Sequence, residues 1–119
     1  MTTSLRIVIA QLNLLVGDVA GNSERVISAA RQARDVLKAQ AIVFPELTLT
    51  GYPPEDLLLR PALMVQVETA LRRIEREARG IDVIVGHPQQ ESGRLFNAAS
   101  LLRRSLRRGI SARPSRAWR

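Results

Sequence analysis

Three short apolar runs, Ile7–Ala10, Ala41–Phe44 and Val83–Val85, punctuate the first two thirds of this chain. Runs this short, rich in Ile and Val, fit strands buried on both faces and leave too few residues for buried helices. The stretches between them change period. Val26, Ala30, Ala33 and Leu37, with Ile27 and Val36 beside them, recur as one face of a helix, and Arg31, Arg34, Asp35 and Lys38 fall away from it. Asn22 or Ser23 can cap that helix, with Glu24 in its first turn. A second helix opens at Pro61, whose fixed φ suits the first helical position. Its stripe is Leu63, Val67, Leu71, Ile74 and Ala78, its wet side carries Glu68–Arg72 and Glu75–Arg79, and Gly80 stops it. A short helical turn over Glu55–Arg60 precedes it. Asp82–Gly86 reads as the third strand, His87–Arg94 as a connecting loop, and Leu95–Leu102 as a fourth strand. The link between those two is too short for a crossover, so they run antiparallel. The order β-α-β-α-β-β predicts an α/β layer whose sheet starts parallel.

Residues 103–119 obey neither period and are read as a disordered tail. The chain's 119 residues suffice for one small domain, expected over 1–102. The net charge of +7 lies wholly in the tail: seven arginines and no acid stand in 103–119, and 1–102 is neutral. The basic balance therefore argues for nucleic acid only through the tail, where Trp118 is the one aromatic, and such a partner is not expected. No apolar run approaches the roughly 18 residues of a membrane span. The first residues lack a signal peptide's charged and apolar regions, so a cytoplasmic chain is expected. Cysteine is absent and His87 is the single histidine, which removes disulfides, thiolate chemistry and any ordinary zinc site from consideration.

Glu46 stands just past the second strand, after Pro45. Open α/β sheets bind ligands outside the carboxyl ends of their strands. A carboxylate there suits general-base work, and on position alone helix capping or loop pairing is the more ordinary role. His87 reads as a loop or strand-end residue, Gly51 and Tyr52 as shaping the loop beside Glu46, and Asp18 and Asp56 as surface acids.

The string Phe44-Pro-Glu-Leu-Thr-Leu-Thr-Gly-Tyr52 resembles the segment around the catalytic glutamate of the nitrilase, or carbon–nitrogen hydrolase, superfamily. Arg6–Asn13 resembles that superfamily's first strand, and Asn22–Ile27 the start of its first helix. Gly51–Arg60 is similar to the glutaminase domains of glutamine-dependent NAD synthetases. Val85-Gly-His-Pro88 and Leu95–Leu102 fit the third and fourth strands of that domain. The resemblance covers residues 5–102.

It implies a four-layer αββα sandwich, of which this chain supplies an incomplete part. It also implies a Glu-Lys-Cys triad. The glutamate takes the thiol proton, the thiolate attacks the amide carbon to give a thioester, and the lysine stabilises the oxyanion. Ammonia then passes to a synthetase domain that uses ATP, with Mg expected, to amidate deamidated NAD. Only the glutamate carries over, as Glu46. The lysine belongs on the strand after the fourth and the cysteine further on. This chain has one lysine, Lys38, on a helix, and no cysteine. Expectation is thus for an N-terminal portion of a glutamine-hydrolysing synthetase, inactive alone, with glutamine as substrate, the synthetase domain as partner and a homo-oligomeric whole. No cofactor is expected in this chain. A portion of a stand-alone nitrilase-family amidase is the alternative, and a non-enzymatic chain with a nucleic-acid-binding tail is a second one.

Arginine outnumbers lysine seventeen to one, the mark of a GC-rich gene. Out-of-frame reading of such DNA yields Arg, Ala, Gly, Ser and Pro. The change at 103 is therefore read as a lost frame or truncation, with a genuine basic arm as the alternative.

Overall fold

A computed structural model describes residues 4–52 and 60–103, and the backbone of 108–114. Asp56, Trp118 and, but for Arg60, the turn expected over Glu55–Arg60 lie outside the described residues. The elements run β1 (Ile7–Ile9), α1 (Val19–Asp35), β2 (Ala41–Val43), α2 (Pro61–Glu77), β3 (Asp82–Glu91), β4 (Arg94–Leu102) and β5 (Arg108–Pro114). They build one five-stranded sheet in the order β1-β2-β3-β4-β5. The β1–β2 and β2–β3 pairs are parallel, and the β3–β4 and β4–β5 pairs antiparallel. This is the α/β order expected, with one strand more.

α1 begins earlier than expected. Asp18 caps it, its Oδ1 accepting from the Gly21 amide at 3.0 Å. Asn22 and Ser23 lie inside the helix and are buried, and Glu24 falls past the first turn, where it pairs with Arg73 of α2. The helix also ends early. Lys38 takes a positive φ of 56° as the chain reverses into β2, and the Ala39 amide closes the turn on the Ala33 carbonyl at 2.9 Å. Val36 and Leu37 consequently leave the buried stripe and are exposed.

α2 follows its stripe closely. Pro61 occupies its first turn, and Leu63, Val67, Leu71, Ile74 and Ala78 are buried. Glu68 and Arg72 approach to 3.6 Å, and Gly80 takes the left-handed conformation (φ +84°) just past the end. Arg31 and Arg34 of α1 donate to the Glu77 and Arg79 carbonyls, so cations from α1 meet the negative end of α2.

The segment His87–Arg94 differs from expectation. It is strand, not loop, except for a two-residue turn at Ser92-Gly93, both with positive φ (51° and 75°). Left-handed conformation at both central residues defines the tight turn whose twist matches flanking strands. Pro88 is tolerated because the β2 pairing ends at Ile84, so its missing N–H costs no ladder bond on that side.

The tail differs too. Residues 108–114 form β5, in register from Leu102↔Arg108 to Phe96↔Pro114. An edge strand offers unpaired N–H and C=O groups that template a neighbour whatever its side-chain pattern. Residues 104–107 and 115–119 lie outside the described residues.

Both described helices lie on one face of the sheet. Val26, Ile27, Ala30 and Ala33 of α1 and the α2 stripe pack onto Ile42, Val83, Val85 and Leu102. The other face carries no helix among the described residues, and only the turn after β2 lies over part of it, at Gly86. Ile7 is 50% and Ile9 76% exposed, so β1 is not buried on both faces as its composition suggested. No helix among the described residues is long and apolar enough to cross a membrane.

Candidate active site

β2 ends at Val43, and the chain beyond it turns sharply while staying against the sheet. The Phe44 amide bonds the Ile84 carbonyl at 2.9 Å and the Leu49 amide the Gly86 carbonyl at 3.2 Å. Between these two anchors Leu47 takes a left-handed φ of 53°, which costs a non-glycine residue about 1–2 kcal/mol. The cost is met by burial: Leu47, Thr48, Leu49 and Thr50 are all fully buried. The Thr48 hydroxyl donates to the Pro45 carbonyl, and the Thr50 hydroxyl to the Gly51 carbonyl at 3.1 Å. Each fills a backbone acceptor that the tight turn leaves without a ladder partner.

A second layer of bonds ties this turn to the β1–α1 loop. Buried Asn22 accepts from the Leu15 amide at 3.0 Å and donates to the Leu15 and Leu49 carbonyls at 2.8 and 3.1 Å. The Gly17 amide reaches the Thr50 carbonyl at 2.8 Å. Gly51, at φ +75°, lies so close to Val16 that a β-carbon there would stand 2.8 Å from its backbone. Gly51 thus shapes the loop as expected, and Tyr52 beside it is exposed.

Glu46 projects from this pinned turn at the carboxyl end of β2 and is exposed. Its Oε1 accepts a hydrogen bond from the Asn97 side-chain amide of β4, 51 residues away. Asn97 sits on the bare face, where it pairs with Pro88 on one side and Arg113 of β5 on the other. Sequence reasoning missed Asn97 and missed Asn22 as a tie between loops. Neither has a local signal, because each acts across the fold.

Lys38 does not join Glu46. It precedes β2 and Glu46 follows it, so they stand at opposite ends of the same strand. His87 does not join it either. It is fully buried in β3 on the helix face, with Nδ1 3.0 Å from the Pro88 carbonyl and Nε2 2.7 Å from the Ser100 hydroxyl. A carbonyl only accepts, so Nδ1 carries a proton toward Pro88, and Nε2 shares a hydrogen bond with the Ser100 hydroxyl. Asp18 is the α1 cap. A cleft of about 380 Å³ opens between the start of α1 and α2, beside Ser23, Thr69 and Arg73, and Glu46 is not among its walls.

Among the described residues no three His, Cys, Asp or Glu side chains cluster as a metal site would require. Together with the absence of cysteine, this leaves one piece of chemistry legible at Glu46: an exposed carboxylate, fixed by a rigid turn and a donor, able to take a proton.

Comparison with known proteins bears on the family and the fold. The family model of carbon-nitrogen hydrolases matches residues 6–112, ten residues past the point where the resemblance read from the sequence ended. A glutamine-dependent NAD(+) synthetase of Xanthomonas campestris is 48% identical over 100 residues, 84% of this chain and 18% of that protein. The structure of glutamine-dependent NAD+ synthetase from Acinetobacter baumannii superposes with a TM-score of 0.85 at 31% identity, over 92% of this chain and 20% of that one. An amidase from Nesterenkonia sp. superposes with a TM-score of 0.79 at 24% identity, over 93% of this chain and 42% of that one, a likeness of fold alone. The chain spans about a fifth of the length of the curated relatives it matches.

Proposed function

The chain belongs to the carbon–nitrogen hydrolase family, and we propose that it is the base-bearing portion of a glutaminase, the part of a glutamine-dependent NAD synthetase that frees ammonia from glutamine. The observation that carries this reading is Glu46 itself, a carboxylate on a rigid turn at the end of a parallel strand, inside a stretch 48% identical to such a synthetase. In this reading Glu46 takes the proton of a cysteine thiol. The thiolate then attacks the amide carbon of glutamine, ammonia departs, and water hydrolyses the thioester. The cysteine and the oxyanion-stabilising lysine are not among this chain's 119 residues, apart from Lys38 at the wrong end of β2.

The reading carries further expectations for the whole enzyme: a cytoplasmic setting, an oligomeric assembly, and a synthetase portion that uses ATP and Mg. A stand-alone amidase is the alternative. Its support is a likeness of fold, whereas the 48% identical relative from Xanthomonas campestris is a synthetase.

Reconstitution tests the proposal. This chain is mixed with the remainder of the Xanthomonas relative, beginning after the matched stretch. The reading expects glutamine-dependent ammonia release that Glu46→Ala abolishes. Release undiminished by Glu46→Ala, or none where the intact relative is active, overturns it.

A further inference from the structure

The Glu46 turn rests on two residues that carry no charge and no catalytic chemistry of their own. Gly86 of β3 lies directly beneath it. A β-carbon at Gly86 would stand 2.6 Å from the Leu47 amide nitrogen, 2.8 Å from the Pro45 carbonyl oxygen and 3.1 Å from the Glu46 α-carbon. All three are backbone atoms and cannot rotate aside. Leu47 is the residue held at positive φ, so the strained step of the turn is the one seated on the glycine.

Asn97 approaches from the side. Ala99 pairs with Gly86, and Asn97 is two residues along β4 on the same face. From there its amide reaches Glu46 Oε1. The amide donor holds that carboxylate oxygen in one place.

We propose that Gly86 and Asn97 are positioning residues for Glu46: the glycine sets the height of the Glu46 turn above the sheet, and the asparagine aims the carboxylate over the bare face. This rests on the glutaminase reading for its purpose, but the arrangement can be tested apart from it. The cysteine that Glu46 serves must then reach this face from outside these 119 residues. A displacement of about 1 Å in a base costs roughly a hundredfold in rate, so a turn that could float would be of little use.

The first arm of the test is NMR of this chain with ¹⁵N label. One Asn97 side-chain amide proton is expected downfield of its partner. Glu46→Ala, at an exposed site, should abolish the displacement. Gly86→Ala should abolish it too, by lifting the turn. An Asn97 amide indifferent to Glu46→Ala overturns the proposal. The second arm uses the reconstituted enzyme. Asn97→Asp keeps the shape but replaces the donor by a carboxylate facing another carboxylate. We expect kcat to fall about tenfold or more with KM unchanged, as for an interaction realised at the transition state. An Asn97→Asp kcat equal to the unsubstituted value, where Glu46→Ala is inactive, overturns the positioning role and leaves the glutaminase reading standing. Indifference to both substitutions removes the glutaminase reading, and the NMR arm still decides the arrangement.

Discussion

Val8, Ile42, Val83 and Leu102 stand in one row across four strands, on the side where both helices pack. One residue along each strand, Ile9, Val43, Ile84 and Leu101 make a second row on the other side. The two rows are equally apolar. In the first, Ile42, Val83 and Leu102 are buried; in the second, none is, and Ile9 is 76% exposed. Composition therefore records a sheet meant to be covered twice, and the described residues cover it once. The same bare face carries Asn97 and its contact to Glu46. The covered face carries His87 and Ser100, locked to each other and closed to solvent. Packing is concentrated on one face, and the contact between Asn97 and Glu46 lies on the other.

The sharpest way to break that division is to remove packing from each side in turn. Leu71→Ala, at a fully buried position under α2, should cost about 2–5 kcal/mol in urea unfolding. Ile9→Ala should change stability by about 0.5 kcal/mol or less, since it loses little buried area. Comparable losses would mean that the bare face is covered in solution.

Ile9→Lys probes what the bare face does in water. A contiguous apolar patch drives association, and the chain should self-associate through it. The lysine should lower the apparent mass by light scattering while leaving the unfolding midpoint nearly unchanged. Association unaltered by Ile9→Lys would place the contact elsewhere.

The smallest expected effect is on the helix side. The Glu77 carboxyl is held below its ordinary value chiefly by the hydrogen bond from Arg73, and Asp35 is lowered in the same way by Arg34. A carboxyl with a depressed native pKa contributes stability above its unfolded value, here about 4.5 for Glu77, and loses it as pH falls through the native one. Both groups are exposed, so the effect is slight. Glu77→Gln should lower the urea midpoint slightly at neutral pH, where that contribution is full, and make the acid-side decline shallower. A steeper decline would contradict the assigned direction.

Much of the covered face was legible in the sequence. Pro61 and the stripe from Leu63 to Ala78 place α2 because its packing follows one period. Ala41–Phe44 and the string after it place Glu46 at a strand end. What was not legible has physical causes. Asn22 suggested itself as a cap, but Asp18 caps and Asn22 is spent bridging Leu15 and Leu49, a contact only the folded loops create. Pro88 obscured a strand that tolerates it because β2 stops short. Ser92-Gly93 was the one local sign of the hairpin. β5 follows from the free edge of β4, not from any period of its own. The bond between Asn97 and Glu46 spans 51 residues and leaves no pattern in either neighbourhood.

In the proposed reading Glu46 is a base whose cysteine nucleophile is not among these 119 residues. The direct measurement is ammonia release from glutamine by the purified chain, beside Glu46→Ala. Nucleophile and base act as a unit, so both should sit at background. Release from the unsubstituted chain clearly above that of Glu46→Ala would contradict it, by showing that some other group here attacks the amide with the help of Glu46.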